Sequence, residues 1–289
     1  MYRTLMFVQA SNNRFIEKAK NAEADIICFD LEDSVPTNEK ELARQNIVGA
    51  LRHRSEYRSA VYVRINSIGS GLANFDLKAA IQDGIDGVVV PKVNDENVLY
   101  EIDDFLCTFE KENIMKKNSI KLMASIESAK GVANAYAIGK AIERTNALVF
   151  GVFDFLYDMH LDYDDIDGVE YRYAHMKIPV DARAAGVAAI DAVWQKIDDA
   201  EGLKKDSIIA KRLGYTGKCI IHPAQTQVVH EAFMPNKNEV EWAKKVVATL
   251  SESIETGSGI GAFRLEGKMI DAVHYKQAKG ILDALDEHK

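Results

Sequence analysis

Apolar positions in this chain fall into short, nearly unbroken runs, separated by longer stretches that are apolar on one face only. The runs are Leu5–Gln9 (LMFVQ), Ile26–Leu31 (IICFDL), Ala60–Ile65 (AVYVRI), Gly87–Val90 (GVVV), Lys121–Glu127 (KLMASIE), Ala147–Asp154 (ALVFGVFD), Val187–Val193 (VAAIDAV) and Gly217–Ile221 (GKCII). Runs without polar alternation predict strands covered on both faces. Between them, helices are predicted from Ser11 and Asn12 as caps through Arg14, Lys18 and Lys20, and at Asn38–His53, Leu77–Asp83, Asp95–Glu112, Ser128–Thr145, Val169–Ala185 and Asp199–Leu213. Eight strands alternating with helices, at a spacing of roughly 20 to 40 residues, predict a (β/α)₈ TIM barrel.

The barrel closes near residue 230, which divides the chain into a barrel, residues 1–235, and an extension, residues 236–289. The extension reads as a helix at Asn238–Ile254, a glycine-rich joint at Thr256–Gly261 (TGSGIG), the segment Ala262–Asp271 (AFRLEGKMID) and a last helix to about Leu285. A helix, a hinge and a compact tail after a closed barrel predict a lid. The joint does not follow a strand and is not GxGxxG, so it is not read as a nucleotide loop.

Composition narrows the picture. Of 289 residues, 47% are hydrophobic and 28% charged, an ordinary globular balance. The net charge of −8 argues against a nucleic-acid partner. Without a long apolar run or a signal-peptide pattern, the chain is expected to be cytoplasmic and off the membrane. Three well-separated cysteines, Cys28, Cys107 and Cys219, read as buried thiols rather than disulfides or zinc ligands.

Candidate chemistry lies at the carboxyl ends of the strands, where parallel α/β folds collect their ligands. Two of the runs stop on an acid, Glu127 and Asp154. Two carboxylates from neighbouring strands suit a magnesium ion that keeps waters and takes further oxygens from a substrate; the same spacing also fits two helix caps. Arg64 ends the third strand, as a structural ion pair or as a clamp for a substrate carboxylate. Glu32 and Asp33 at the end of the second strand would orient Arg64 or hold metal-bound water. Arg14, Lys18 and Lys20 form a basic patch that reads as a solvated face or as a phosphate site for coenzyme A. His222 in IIHPAQ reads as structural rather than as a base, and the loop Asp162–Gly168 lacks the oxygen donors of a calcium loop. There is no GxSxG, Walker or HExxH motif.

The segments LMFVQASNNRFIEKA, FDLEDSV, VRIN, VVVPKV, ASIES, FGVFD, ARAAGVAAID, IIHPAQ and GAFRLEGKMID, in that order, closely resemble the citrate lyase β-subunit-like branch of the HpcH/HpaI aldolase/citrate lyase family. That branch contains citryl-CoA, malyl-CoA and citramalyl-CoA lyases. The resemblance runs from Arg3 to about Ala278. It implies a barrel, a magnesium ion (with manganese as an alternative), an acyl-CoA substrate cleaved to acetyl-CoA and an α-keto acid, and a homotrimer or hexamer. It also implies Glu127 and Asp154 as metal ligands, Arg64 on the keto-acid carboxylate, and Phe7, Arg14 and Lys18 along the CoA site. The lid aspartate Asp271 would reach a neighbouring subunit's site as the catalytic acid. Val273 stands where the family frequently has proline, and FLYDMH after Asp154 is bulkier than usual; both bear on the substrate's identity. The alternatives are a metal-dependent pyruvate-type aldolase acting on a free hydroxy-keto acid, and a non-catalytic barrel subunit.

Overall fold

The computed structural model describes residues 2–82, 84–162, 168–255 and 262–286. Eight parallel strands, β1 Thr4–Gln9, β2 Ile26–Asp30, β3 Ala60–Arg64, β4 Gly87–Val90, β5 Lys121–Ile126, β6 Thr145–Phe150, β7 Ala188–Asp191 and β8 Gly217–Ile220, close into a barrel in sequence order. The helices between them are α1 Asn13–Ala19, α2 Lys40–Arg52, α3 Ala73–Ala80, α4 Asn97–Glu112, α5 Ala129–Lys140, α6 Val152–Asp158, α7 Arg172–Ala185 and α8 Ala200–Leu213, with α9 Gln225–Phe233 after β8. Inward-facing Leu5, Cys28, Tyr62, Val89, Met123, Val149, Ile190 and Cys219 fill the barrel. The outward set, including Ile27, Phe29, Val61, Val63, Val88 and Leu122, is equally buried under the helices. Double burial is why the strands carry no alternation.

The main departures from the sequence expectation are these. The helix expected at Leu77–Asp83 lies at Ala73–Ala80, with Leu77 and Ala80 on its buried face. The helix after β5 ends at Lys140, and Thr145 already belongs to β6. The run ALVFGVFD is two elements: β6 stops at Phe150, Gly151 caps the break, and Asp154 lies in the first turn of α6. The helix α9 was not foreseen.

The chain divides into two compact units, Met1–His230 and Glu231–Lys289. In the second, α10 Lys237–Glu255 and α11 Ala272–Asp286 pack together with a hairpin of β9 Phe263–Leu265 and β10 Lys268–Ile270. Ala243, Val246, Ile270 and Ala278 form its core. The hairpin falls inside the expected Ala262–Asp271 segment; the glycine joint at 256–261 and most of the acidic loop at 162–168 lie outside the described residues. Among the described residues no helix is long and apolar enough to cross a membrane. Cys28 and Cys219 are buried free thiols, and Cys107 is half-buried.

Candidate active site

The strand register brings the acids together. β2 and β3 pair so that Asp30 and Arg64 are direct partners. Arg64 meets Asp30 most closely, an acid not among the expected Glu32 and Asp33: its Nε and Nη2 donate to the two carboxylate oxygens, each at 2.7 Å. Asp30 also accepts from the backbone N–H groups of Glu32 (2.9 Å) and Ser34 (3.1 Å). Burial pushes the Asp30 carboxyl up, but the Arg64 charge outweighs it and the pKa falls below the usual range. Glu32 sits beside this pair, 3.5 Å from Arg64 Nη1. Lys40 Nζ holds the backbone here by donating to the carbonyls of Leu31 (2.6 Å) and Glu32 (2.7 Å). Arg64 lies over the ring of Phe7, 4.5 Å from its centroid, a cation–π contact that fixes the plane of the guanidinium.

Glu127 follows β5 and is 6% exposed. It does not cap α5: Ser128 does, accepting from the Gly131 N–H. The Glu127 Oε2 instead accepts from the backbone N–H of Lys92 at 3.1 Å. Its side chain lies over Gly151, where a Cβ would fall 2.3 Å from Glu127 Cγ. Asp154, on the first turn of α6, is 3.6 Å from Lys92 Nζ, which also pairs with Glu32 at 2.9 Å. Burial, followed by the charges of Glu32 and Asp154, pushes Glu127 up to about 8. Burial, partly countered by Arg64, pushes Glu32 up to about 7.

These residues fit a hard divalent cation. The donors are carboxylate oxygens, without histidine or thiolate. The raised pKa values of Glu32 and Glu127 come first from burial, and for Glu127 also from the neighbouring charges of Glu32 and Asp154, so both carboxylates are held in a place that disfavours their charge while it stands uncompensated. Glu32 Oε2 is buried without a hydrogen-bond partner. Among the described residues no group of three or more His, Cys, Asp or Glu side chains is disposed to hold a metal. A cation held by only two side chains would take its remaining oxygens from water and substrate.

Phe7 also lines a groove of about 330 Å³ with Phe15, Lys18, Ser34, His222 and Pro223. Of the expected basic patch, Lys18 lines this groove. Arg14 is exposed on α1, and Lys20 turns away to pair with Glu17 (2.7 Å) and Glu56 (2.8 Å). His222 Nδ1 accepts from the Ala224 N–H at 3.2 Å, a local turn contact. Asp271 belongs to the second unit, at the N-terminus of α11. Its Oδ1 accepts from the N–H groups of Val273 (3.0 Å) and His274 (3.4 Å) and meets His274 Nδ1 at 2.7 Å. The His274 hydrogen bonds hold its pKa below the usual range.

Comparison with known proteins decides the family. The family model described as HpcH/HpaI aldolase/citrate lyase matches residues 3–223, and one described as a C–C bond lyase of the TIM-barrel fold matches residues 173–285. The chain belongs to the HpcH/HpaI aldolase/citrate lyase family. It is 35% identical to the citrate lyase subunit beta of Leuconostoc mesenteroides subsp. cremoris, over 93% of this chain and 88% of that one. It is 32% identical to the mitochondrial citramalyl-CoA lyase of Mus musculus, over 97% and 85%. A crystal structure of protein CitE from Mycobacterium tuberculosis, in complex with magnesium, acetoacetate and coenzyme A, superposes with a TM-score of 0.80 at 26% identity, covering 98% of this chain and 97% of that one. The barrel fold and the family membership expected from the nine segments thus hold, and the relatives are named as lyases.

Within that family framework the barrel unit gathers Phe7, Glu32, Arg64, Glu127 and Asp154 at one end of the strands. Two members of the cluster were not foreseen. Asp30 was hidden at the end of an apolar run, and only the Asp30–Arg64 register reveals its role. Lys92 follows Pro91 in VVVPKV, and nothing in that string tells that its backbone and side chain both turn to the acids.

Proposed function

We propose that this chain is a magnesium-dependent carbon–carbon lyase. It cleaves a 3-hydroxy-carboxyacyl-CoA to acetyl-CoA and an α-keto acid, and forms it in reverse. The carrying observation is the buried carboxylate of Glu127 with Asp154 beside the same Lys92, next to an arginine that Asp30 holds in place. The names of the relatives, citrate lyase subunit beta and citramalyl-CoA lyase, and the magnesium, acetoacetate and coenzyme A in the M. tuberculosis complex support the same reading.

Glu127 and Asp154 are the residues that hold the cation, with manganese as an alternative to magnesium. When bound, the cation supplies a Lewis acid to the substrate's hydroxyl and carboxylate oxygens. Asp30 takes the Nε and Nη2 donors of Arg64, and the Nη1 group, which Glu32 approaches only to 3.5 Å, is the one that meets the substrate carboxylate. Phe7 braces that guanidinium and also lines the groove. The groove takes the coenzyme, with Lys18, and Arg14 on the same helix, meeting its phosphates.

The hydroxyl proton passes to water as the C–C bond breaks. Its electron pair passes to the carbon next to the thioester carbonyl, giving the enolate, while the hydroxyl carbon becomes the ketone. Asp271, having taken a proton from water, gives it to that enolate carbon, and in the condensing direction takes it back. The second unit serves as the lid that carries Asp271 to the site of a neighbouring subunit in a homotrimer or hexamer, and excludes water from the enolate. The protein works in the cytoplasm. Glyoxylate, pyruvate and oxaloacetate differ by small groups worth about 1–3 kcal/mol per methylene in a pocket.

The test is a panel assay with magnesium: malyl-CoA, citramalyl-CoA and citryl-CoA in the cleavage direction, and acetyl-CoA with glyoxylate in reverse. Cleavage of one thioester that EDTA abolishes is the expected result and names the keto acid. Silence on all four, with turnover of a free hydroxy-keto acid, overturns the CoA reading in favour of an aldolase.

A further inference from the structure

Lys92 has a backbone that lysine seldom adopts. It stands where the chain leaves β4, with φ at 54°, a left-handed conformation that costs a non-glycine residue free energy and persists only where contacts hold it. Those contacts all go to acids. Its N–H donates to Glu127 Oε2 at 3.1 Å. Its Nζ lies 2.9 Å from Glu32 Oε1, 3.3 Å from Asp33 Oδ1 and 3.6 Å from Asp154 Oδ1. Four carboxylates thus converge on one residue, while Arg64 is held mainly by Asp30 and reaches Glu32 only at 3.5 Å.

We propose that Lys92 is the resident counter-ion of this centre. Its ammonium holds the acids together when no divalent cation is bound, gives up Asp154 when one binds, and thereby sets the affinity for the cation. The proposal rests on the reading of Glu127 and Asp154 as the metal-holding pair. A single ammonium has three donors and one charge, enough to bridge three carboxylates but not to neutralise four. A divalent cation therefore still gains from entering, but against the repulsion of a neighbouring positive charge and the loss of one ion pair. Lys92 is a positioning residue in this account, acting through Asp154 and Glu32.

The deciding variant is Lys92→Met. It keeps an unbranched side chain of nearly the same length and the backbone requirement, and removes the ammonium with its charge and donors. Lys92→Arg restores the charge. Calorimetric titration of magnesium into EDTA-treated full-length protein is run at about pH 8.5, where ligand protonation competes little. Lys92→Met is expected to bind magnesium roughly tenfold more tightly than wild type. Its metal-free melting temperature falls below wild type, and saturating magnesium raises it by more than it raises wild type. Lys92→Arg stays close to wild type in both. Equal or weaker magnesium binding by Lys92→Met, or an equal magnesium-induced thermal shift, overturns the role of Lys92. Lys92→Gln replaces Lys92→Met, with the same two outcomes, if the latter does not fold without metal. Wild-type protein that binds no magnesium refutes the metal reading itself, and with it the proposal.

Discussion

Replacing Gly151 by alanine probes the centre without touching any charged group. Gly151 has φ −102°, an ordinary value for any residue, so alanine adds no left-handed strain. What it adds is one methyl group, which would fall 2.3 Å from Glu127 Cγ and 2.8 Å from both Cδ and Oε1. To reach even a 3.0 Å contact, Glu127 must retreat by about 0.7 Å, more than the roughly 0.5 Å within which a functional group must be held. We expect a loss of stability of about 1–3 kcal/mol, the usual result of overpacking. We expect magnesium affinity to fall about tenfold or more and thioester turnover to fall about 10²-fold, while coenzyme A still binds the groove. Calorimetry, the cleavage assay and a thermal melt on one preparation separate these effects. A folded Gly151→Ala protein with wild-type magnesium affinity and turnover would refute the assignment of Glu127, since its carboxylate cannot keep its place beside that methyl.

Three further outcomes follow from the same geometry. Glu127 and Glu32 stand at about 8 and about 7 in the folded chain, above their unfolded value of about 4.3. They contribute stability in acid that is lost as the pH rises towards about 8. Magnesium must displace those protons, so its affinity should rise with pH up to about 8 and then level off; melts of the metal-free protein and calorimetry across that range check both, and pH-independent affinity contradicts them. Asp30→Asn puts an amide N–H₂ among four donors, from Arg64 twice and from the N–H groups of Glu32 and Ser34. The cost should be about 3–5 kcal/mol in denaturant unfolding, and a near-neutral result would mean that Arg64 does not need its anchor. Asp271→Asn keeps a good helix cap for α11. Its melting temperature should therefore hardly move, while turnover drops by about 10²-fold or more with magnesium and coenzyme A binding intact; unchanged turnover removes Asp271 from the chemistry.

The strands were readable because burial on both faces leaves runs such as IICFD and GVVV with no polar interruption. The same property misplaced Asp154. Val152 and Phe155 are buried residues of α6, so the apolar run continued through the end of β6, and only Gly151 marked the break. Asp30 illustrates a second limit. Three acids lie within four residues at the end of β2, and a linear string does not say which one faces Arg64; the β2–β3 register does. Lys92 illustrates a third, since a left-handed backbone at a lysine has no signature in the residue type. The basic patch divides for a geometric reason: Lys18 lines the groove, whereas Lys20, two residues on, points to Glu56.

The central claim is that Glu127, with Asp154, makes this barrel a metal-dependent carbon–carbon lyase. The most direct measurement is thioester cleavage by wild type and Glu127→Gln across a magnesium titration, with calorimetry on the same samples. The account predicts that Glu127→Gln folds, binds magnesium far more weakly, and loses cleavage that excess magnesium restores only in part. Magnesium-independent cleavage by wild type, or wild-type cleavage by Glu127→Gln at low magnesium, would contradict it.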